Sequence, residues 1–167
     1  YIPFIVKRLE VMEGSARFGL WFVHIRWDSD NVVSRIRFVR QSVSGPVPLS
    51  LSQYLAGKTT TLSPLISLHE QDDTVFGRIY REVKTIPYGE TRTYKEIAES
   101  VGTGARVVGM AMKRNLTPIL IPCHRVVSTG GLGGYTPDIS IKQDLLNLEE
   151  QVIKRSKVLK KSSIHLS

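Results

Sequence analysis

The chain holds one cysteine, Cys123, followed directly by His124 and Arg125, and chemistry is expected there first. A thiol with an ordinary pKa of about 8.5 is only about 3% thiolate at pH 7, so a nucleophilic cysteine needs a base or a cation beside it. His124 and Arg125 are residues of those two kinds. Neighbours in an extended segment face opposite ways, so Cys123 and His124 can meet only across a tight turn after Pro122. A carboxylate that orients the imidazole completes the usual arrangement, and the candidates are Glu149 and Glu150 on the last predicted helix. The alternative is a small buried cysteine without chemistry.

Other chemistries find less support. The histidines, at 24, 69, 124 and 165, have no metal-ligand spacing among themselves or with Cys123, so no metal site is expected. Gly102 and Gly104 would need a glycine at 107 for a dinucleotide fingerprint, and position 107 is Val. The cluster from Gly130 to Gly134 lacks both the lysine and the following helix of a phosphate loop. No cofactor is expected.

The segments around these residues set where they can sit. Ile2 to Val6, Phe18 to Trp27 and Val32 to Val39 read as strands, the last two joined by the turn Asp28-Ser29-Asp30-Asn31. A short helix over Leu51 to Ala56 stops at Gly57, and a boundary falls between 60 and 70. From Asp73 the period becomes helical, with Val75, Ile79, Val83 and Ile86 on one face and Asp72 or Asp73 placed to cap. Thr93 and Glu96 form a capping box for a helix to Ser100, and Thr103 or Gly104 opens another to Asn115. Three helices joined by tight glycine turns read as a helix-turn-helix module whose third helix recognises its target. Close packing in an ordinary bundle would equally use the small residues Gly104, Ala105, Gly109 and Ala111. Pro118 to Pro122 reads as a buried extended segment, and a final helix runs from Ser140 to Gln151. The expected layout is 1–68, a strand-rich unit; 69–153, a helical unit; and 154–167, a basic tail that ends as a solvated, partly frayed helix.

The 167 residues are 41% hydrophobic and 23% charged, ordinary for a globular chain. The longest apolar run, Ile119 to Cys123, is too short for a membrane span, and no signal peptide is expected. A lone cysteine fits a reducing, cytoplasmic setting. The net charge of +8 is uneven: residues 151–167 carry five basic side chains and no acidic one. Residues 91–125 carry Arg92, Lys95, Arg106, Lys113, Arg114 and Arg125 against Glu96 and Glu99, a stripe suited to phosphate.

The run Pro122-Cys123-His124-Arg125-Val126-Val127, preceded by Asn115 and Pro118-Ile119-Leu120-Ile121, closely resembles the active-site signature of the O6-alkylguanine-DNA alkyltransferases. The likeness continues through Ile86-Pro87-Tyr88-Gly89-Glu90-Thr91, Thr93-Tyr94, Ala105-Arg106-Val107-Val108-Gly109, Met112, Tyr135, Lys142, Leu145-Leu146 and Glu149, covering residues 73 to 150. Thr136-Pro137-Asp138 departs from it, standing where such proteins commonly have Ser-Gly-Gly. The resemblance implies an α/β (α+β) fold: a small RNase H-like N-terminal domain and a helix-turn-helix, winged-helix-like C-terminal domain. It also implies a single-turnover repair reaction in which Cys123 keeps the alkyl group taken from guanine O6. His124 takes the thiol proton through a water, Glu149 holds His124, Tyr94 donates toward guanine N3, and Asn115 braces the turn. Arg106 enters the base stack as the nucleotide swings out, while Thr93, Tyr94, Lys95, Gly104, Ala105, Gly109 and Thr129 face DNA in the minor groove. Met112, Pro118, Val126, Tyr135 and Thr136 line the pocket. The implied partner is double-stranded DNA containing O6-alkylguanine, bound by a monomer without cofactor.

Overall fold

The structure, a computed structural model, describes residues 9–165. Strands β1 (Val11–Phe18), β2 (Trp21–Asp28) and β3 (Val32–Val39) form an antiparallel meander, and β4 (Ile66–Ser67) joins β3 in parallel. The expected strand from Phe18 to Trp27 is therefore broken at Gly19-Leu20, and β1 was not foreseen. Its Glu13-Gly14-Ser15-Ala16 stretch has weak strand propensity, and pairing with β2 along its whole length overrides that. The expected strand at Ile2 to Val6 lies outside the described residues. The turn between β2 and β3 is the one predicted: the Asp28 carboxylate accepts from the amides of Asp30 and Val32, with Asn31 left-handed at φ 64°.

Helix α1 (Leu49–Leu55) packs Leu51 and Tyr54 beneath this sheet against Val23, Ile25, Ile36 and Phe38. A second core gathers α2 (Val75–Lys84), α3 (Tyr94–Val101) and α4 (Ala105–Lys113) around Ile79, Val83, Ile97, Val108 and Ala111. Thr74, not Asp72 or Asp73, caps α2, accepting from Gly77 N at 3.0 Å. The chain folds back over that first turn so closely that a Cβ on Gly77 would lie 1.8 Å from the Asp72 carbonyl oxygen. Asp72 is thus committed to that crossing. The capping box of α3 is present in both directions, Thr93 Oγ1 accepting from Glu96 N and Glu96 Oε2 from Thr93 N.

Residues 118–122 do not form the expected extended segment. Ile119 is left-handed at φ 72°, and Ile121 N donates to Thr117 O across a single turn. Ile119 and Leu120 enter the first core while Ile121 enters the second, so this loop joins the two. The strand reading failed because all three side chains are buried, which erases any period. The last helix, α5 (Ile139–Ile164), runs well past Gln151. With no glycine or proline between 139 and 164 nothing stops it, and the segment expected to fray continues as helix, with an ion pair from Lys154 to Glu150 at 2.9 Å. No helix among the described residues is long and apolar enough to cross a membrane.

Candidate active site

The turn that Cys123 and His124 require is present. Pro122 adopts φ −79°, ψ 66°, the inverse γ geometry, and Cys123 N donates to Ile121 O at 2.7 Å. A 3₁₀ turn over Cys123–Arg125 follows, closed by Arg125 N donating to Pro122 O. Strands β5 (Arg92–Thr93) and β6 (Val126–Val127) pair in parallel and tie this turn to the start of α3. Asn115, just beyond α4, braces it from the other side: its Nδ2 donates to Ile121 O at 2.8 Å, and its Oδ1 accepts from Thr117 N.

The consequence is that Cys123 and His124 face different surroundings. Cys123 opens onto a cavity of about 740 Å³, whose lining includes Tyr94, Gly109, Met112, Asn115, Pro118, Tyr135 and Thr136. Of the residues expected on its wall, Val126 is absent: it is fully buried in the second core, and its carbonyl accepts from Lys142 Nζ at 2.6 Å. Residues 35–38 of β3 line the cavity and were not foreseen, because nothing in the sequence brings that strand to Leu116, where Ile36 N donates to Leu116 O. Gly133 is held at φ +74° against Tyr94, whose hydroxyl a Cβ at that position would meet at 2.8 Å.

His124 is fully buried behind the thiol, and its Nε2 lies 2.7 Å from Glu149 Oε2. Of the two candidate carboxylates the fold selects Glu149, while Glu150 is exposed and pairs with Lys154. Glu149 collects donors from four residues. Arg125 grips it bidentately, Nε to Oε1 and Nη2 to Oε2, each at 2.9 Å; Gly89 N donates to Oε1; and the Tyr54 hydroxyl donates to Oε2. Burial alone would push this carboxyl up, but His124 and then Arg125 outweigh it and hold its pKa well below the carboxylate range. Because the carboxylate can only accept, His124 carries its proton on Nε2, and Nδ1 is left as a lone pair. Nδ1 is a buried atom without a hydrogen-bond partner among the described residues.

No hydrogen bond joins Cys123 to His124 among the described residues. Burial pushes the thiol pKa up, against the pull of Asn115, Tyr135 and the Lys142 charge. The resting thiol is therefore neutral and gains nucleophilic character only when a base takes its proton. Burial likewise lowers the His124 pKa, Glu149 opposing, so the imidazole is also neutral at rest. Lys142, fully buried, is brought down to about 8 by desolvation. Tyr94 is raised by burial and then by the nearby sulfur, so it keeps its proton.

Lys95, Gly104, Ala105, Arg106 and Thr129 are exposed. Thr93 is engaged as the cap of α3 through its oxygen. A Cβ on Gly104 or Gly109 would meet nothing within 4 Å, so these glycines do not serve packing inside the protein. The stripe from 91 to 125 is thinner than its sequence implies. Arg92 is paired with Glu82 at 2.7 Å and Arg125 with Glu149, leaving Lys95, Arg106, Lys113 and Arg114 at the surface. Among unforeseen residues, Arg125 was visible only as a neighbouring cation, while Tyr54 carried no signal at all.

Fold and site together define a helix-turn-helix protein with a cysteine at the foot of its helices, backed by an imidazole–carboxylate pair. Comparison with known proteins agrees with this. Residues 74–151 match the family described as 6-O-methylguanine DNA methyltransferase, DNA binding domain. A methylated-DNA–protein-cysteine methyltransferase of Metallosphaera sedula is 44% identical over 104 residues, 62% of this chain and 66% of that protein. The match thus spans just under two thirds of that relative's length. The crystal structure of the Mycobacterium tuberculosis O6-methylguanine methyltransferase superposes with a TM-score of 0.70 at 30% identity, covering 85% of this chain and 94% of that one. The same organism's protein in complex with DNA gives 0.69 at 32% identity, covering 83% and 92%. The chain belongs to the O6-methylguanine-DNA methyltransferase family.

Proposed function

We propose that the protein repairs O6-alkylguanine in double-stranded DNA by moving the alkyl group onto its own Cys123, once per chain. The observation that carries this reading is a cavity-lining thiol followed by a buried imidazole whose Nδ1, without a partner among the described residues, is a proton acceptor. A water bridging the thiol and His124 Nδ1 relays the proton, sulfur attacks the alkyl carbon, and the S–C bond forms as the O6–C bond breaks. The leaving guanine gains charge, and Tyr94, which retains its proton, donates toward N3. The imidazolium formed on His124 is stabilised by the ionised Glu149. Lys142 and the Tyr135 hydroxyl favour the transient thiolate.

An alkyl group on O6 is out of reach inside the duplex, so the nucleotide must swing out at a cost of a few kcal/mol. The cavity is in the size range of small-molecule sites, about 300–1,000 Å³. Exposed Arg106 fills the gap in the stack, and open space over Gly104 and Gly109 lets α4 enter the minor groove. That groove distinguishes little beyond A·T from G·C, which suits a repair protein that must act at any sequence. Because the acceptor is part of the chain, no cofactor is needed, and the thiol fits a reducing, cytoplasmic setting. The protein acts as a monomer.

The test is intact mass after incubation with methylated duplex DNA. One methyl substituent per chain is expected, and none in Cys123→Ser. Product released beyond one equivalent, or no modification of the wild-type chain, would overturn the reading.

A further inference from the structure

Glu149 is needed to orient His124, yet the structure gives its Oε2 a further donor from the other half of the molecule. Tyr54 lies 70 residues before His124 and 95 before Glu149, on α1 beneath the N-terminal sheet, and is 1% exposed. Its hydroxyl donates to Glu149 Oε2 and stands 3.4 Å from His124 Nε2. Its ring meets Tyr88 edge-on at 5.9 Å, next to Gly89, whose amide also donates to Glu149. No step of the alkyl transfer uses Tyr54.

We propose that Tyr54 is a positioning residue that, by sharing Glu149 Oε2 with His124, keeps the imidazole neutral and its Nδ1 ready to accept the thiol proton. This rests on the alkyl-transfer reading for its purpose, though not for its geometry. A carboxylate offers about four lone-pair sites, and here Arg125, Gly89, His124 and Tyr54 compete for them. Each donor withdraws charge from the group that would otherwise stabilise imidazolium. Tyr54 must be a donor, because burial and then the Glu149 charge hold its pKa well above 10. The charged and titratable groups facing His124 are Glu149 and Lys142 from α5, Arg125 and Cys123 from its own turn, and Tyr54 from α1. Arg125 and Lys142 also disfavour imidazolium, but both are bound to backbone carbonyls of the helical unit, at Ile86 and Val126. Tyr54 alone among these groups is contributed by the sheet side, so the readiness of the base depends on α1 being docked.

The experiment is a pH titration of Tyr54→Phe, which removes one hydroxyl and keeps the ring. The four histidine rings are followed by NMR, and Cys123 alkylation by iodoacetamide is timed over the same range. Losing a hydrogen bond to a charged group shifts the His124 pKa up by about one unit, and the acid limb of the alkylation rate moves with it, slowing the reaction about tenfold on that limb. Tyr54→Leu, lacking the ring as well, is expected to show the same shift. A uniform loss of rate with an unmoved limb and unmoved His124 titration would overturn the proposal, as would a shift in Leu that is absent in Phe. Failure of methyl transfer from DNA in the wild-type chain would instead defeat the repair reading, and the iodoacetamide profile would still decide the role of Tyr54.

Discussion

Glu149 keeps a negative charge in a place where water cannot reach it, and six hydrogen bonds from four residues make that tolerable. Removing one partner of such a buried pair strands the rest, at a typical cost of about 3–5 kcal/mol. Glu149→Gln is therefore expected to lower the unfolding free energy at pH 7 by that amount in urea denaturation. Its pH dependence follows from the sign of the shift. The folded carboxyl titrates below its ordinary 4.5, so its contribution is present above that pH and is lost as pH falls toward the folded value. His124 is also depressed, from 6.5, so protonation of the unfolded chain begins to erode stability below that pH. Wild-type stability should fall from pH 6.5 downward and more steeply below 4.5, while Glu149→Gln lacks the steeper part. A parallel decline in the two proteins would show that Glu149 is not held ionised by its partners.

Helix α4 has one buried face, with Val108 and Ala111, and another thinned by glycine. A glycine in a helix interior costs about 0.8–1 kcal/mol relative to alanine, and here that cost is not recovered by packing. Gly109→Leu is accordingly expected to keep or raise the melting temperature while weakening duplex binding, since the side chain projects where the proposal places the groove. Lower stability with unchanged DNA affinity would assign Gly109 to the fold instead. The caps show what is readable at this scale. Thr93 and Glu96 satisfy each other locally and were evident from their spacing. Thr74 displaced Asp72 because of a backbone crossing that no local pattern encodes.

Across the whole molecule, charge is sorted between interior and surface. Arg125 and Arg92 are spent on Glu149 and Glu82, whereas Lys95 and Arg106 stand in solvent. The logarithm of DNA affinity falls with the logarithm of salt by about 0.9 for each phosphate neutralised. Lys95→Ala is expected to reduce that slope by about 0.9, and Arg92→Ala to leave it unchanged. A reduced slope for Arg92→Ala would mean that its ion pair opens on DNA. The two halves are held together by the loop carrying Ile119 and Leu120 into one core and Ile121 into the other. That same loop ends at Cys123, which ties the position of the thiol to the docking of the halves.

The residues from Pro122 to Val127, the capping box at Thr93 and the glycine-thinned face of α4 were all legible in the chain, because each depends on residue type and short spacing. The approach of β3 to the cavity, the burial of Val126 away from it and the contact of Tyr54 with Glu149 were not. They depend on contacts between segments up to 95 residues apart, and local periodicity carries no information about which distant side chains share a core. The same holds for the protonation state of the sulfur: its neighbours offered a base and a cation, and burial, a property of the assembled fold, raises its pKa and leaves the resting thiol neutral.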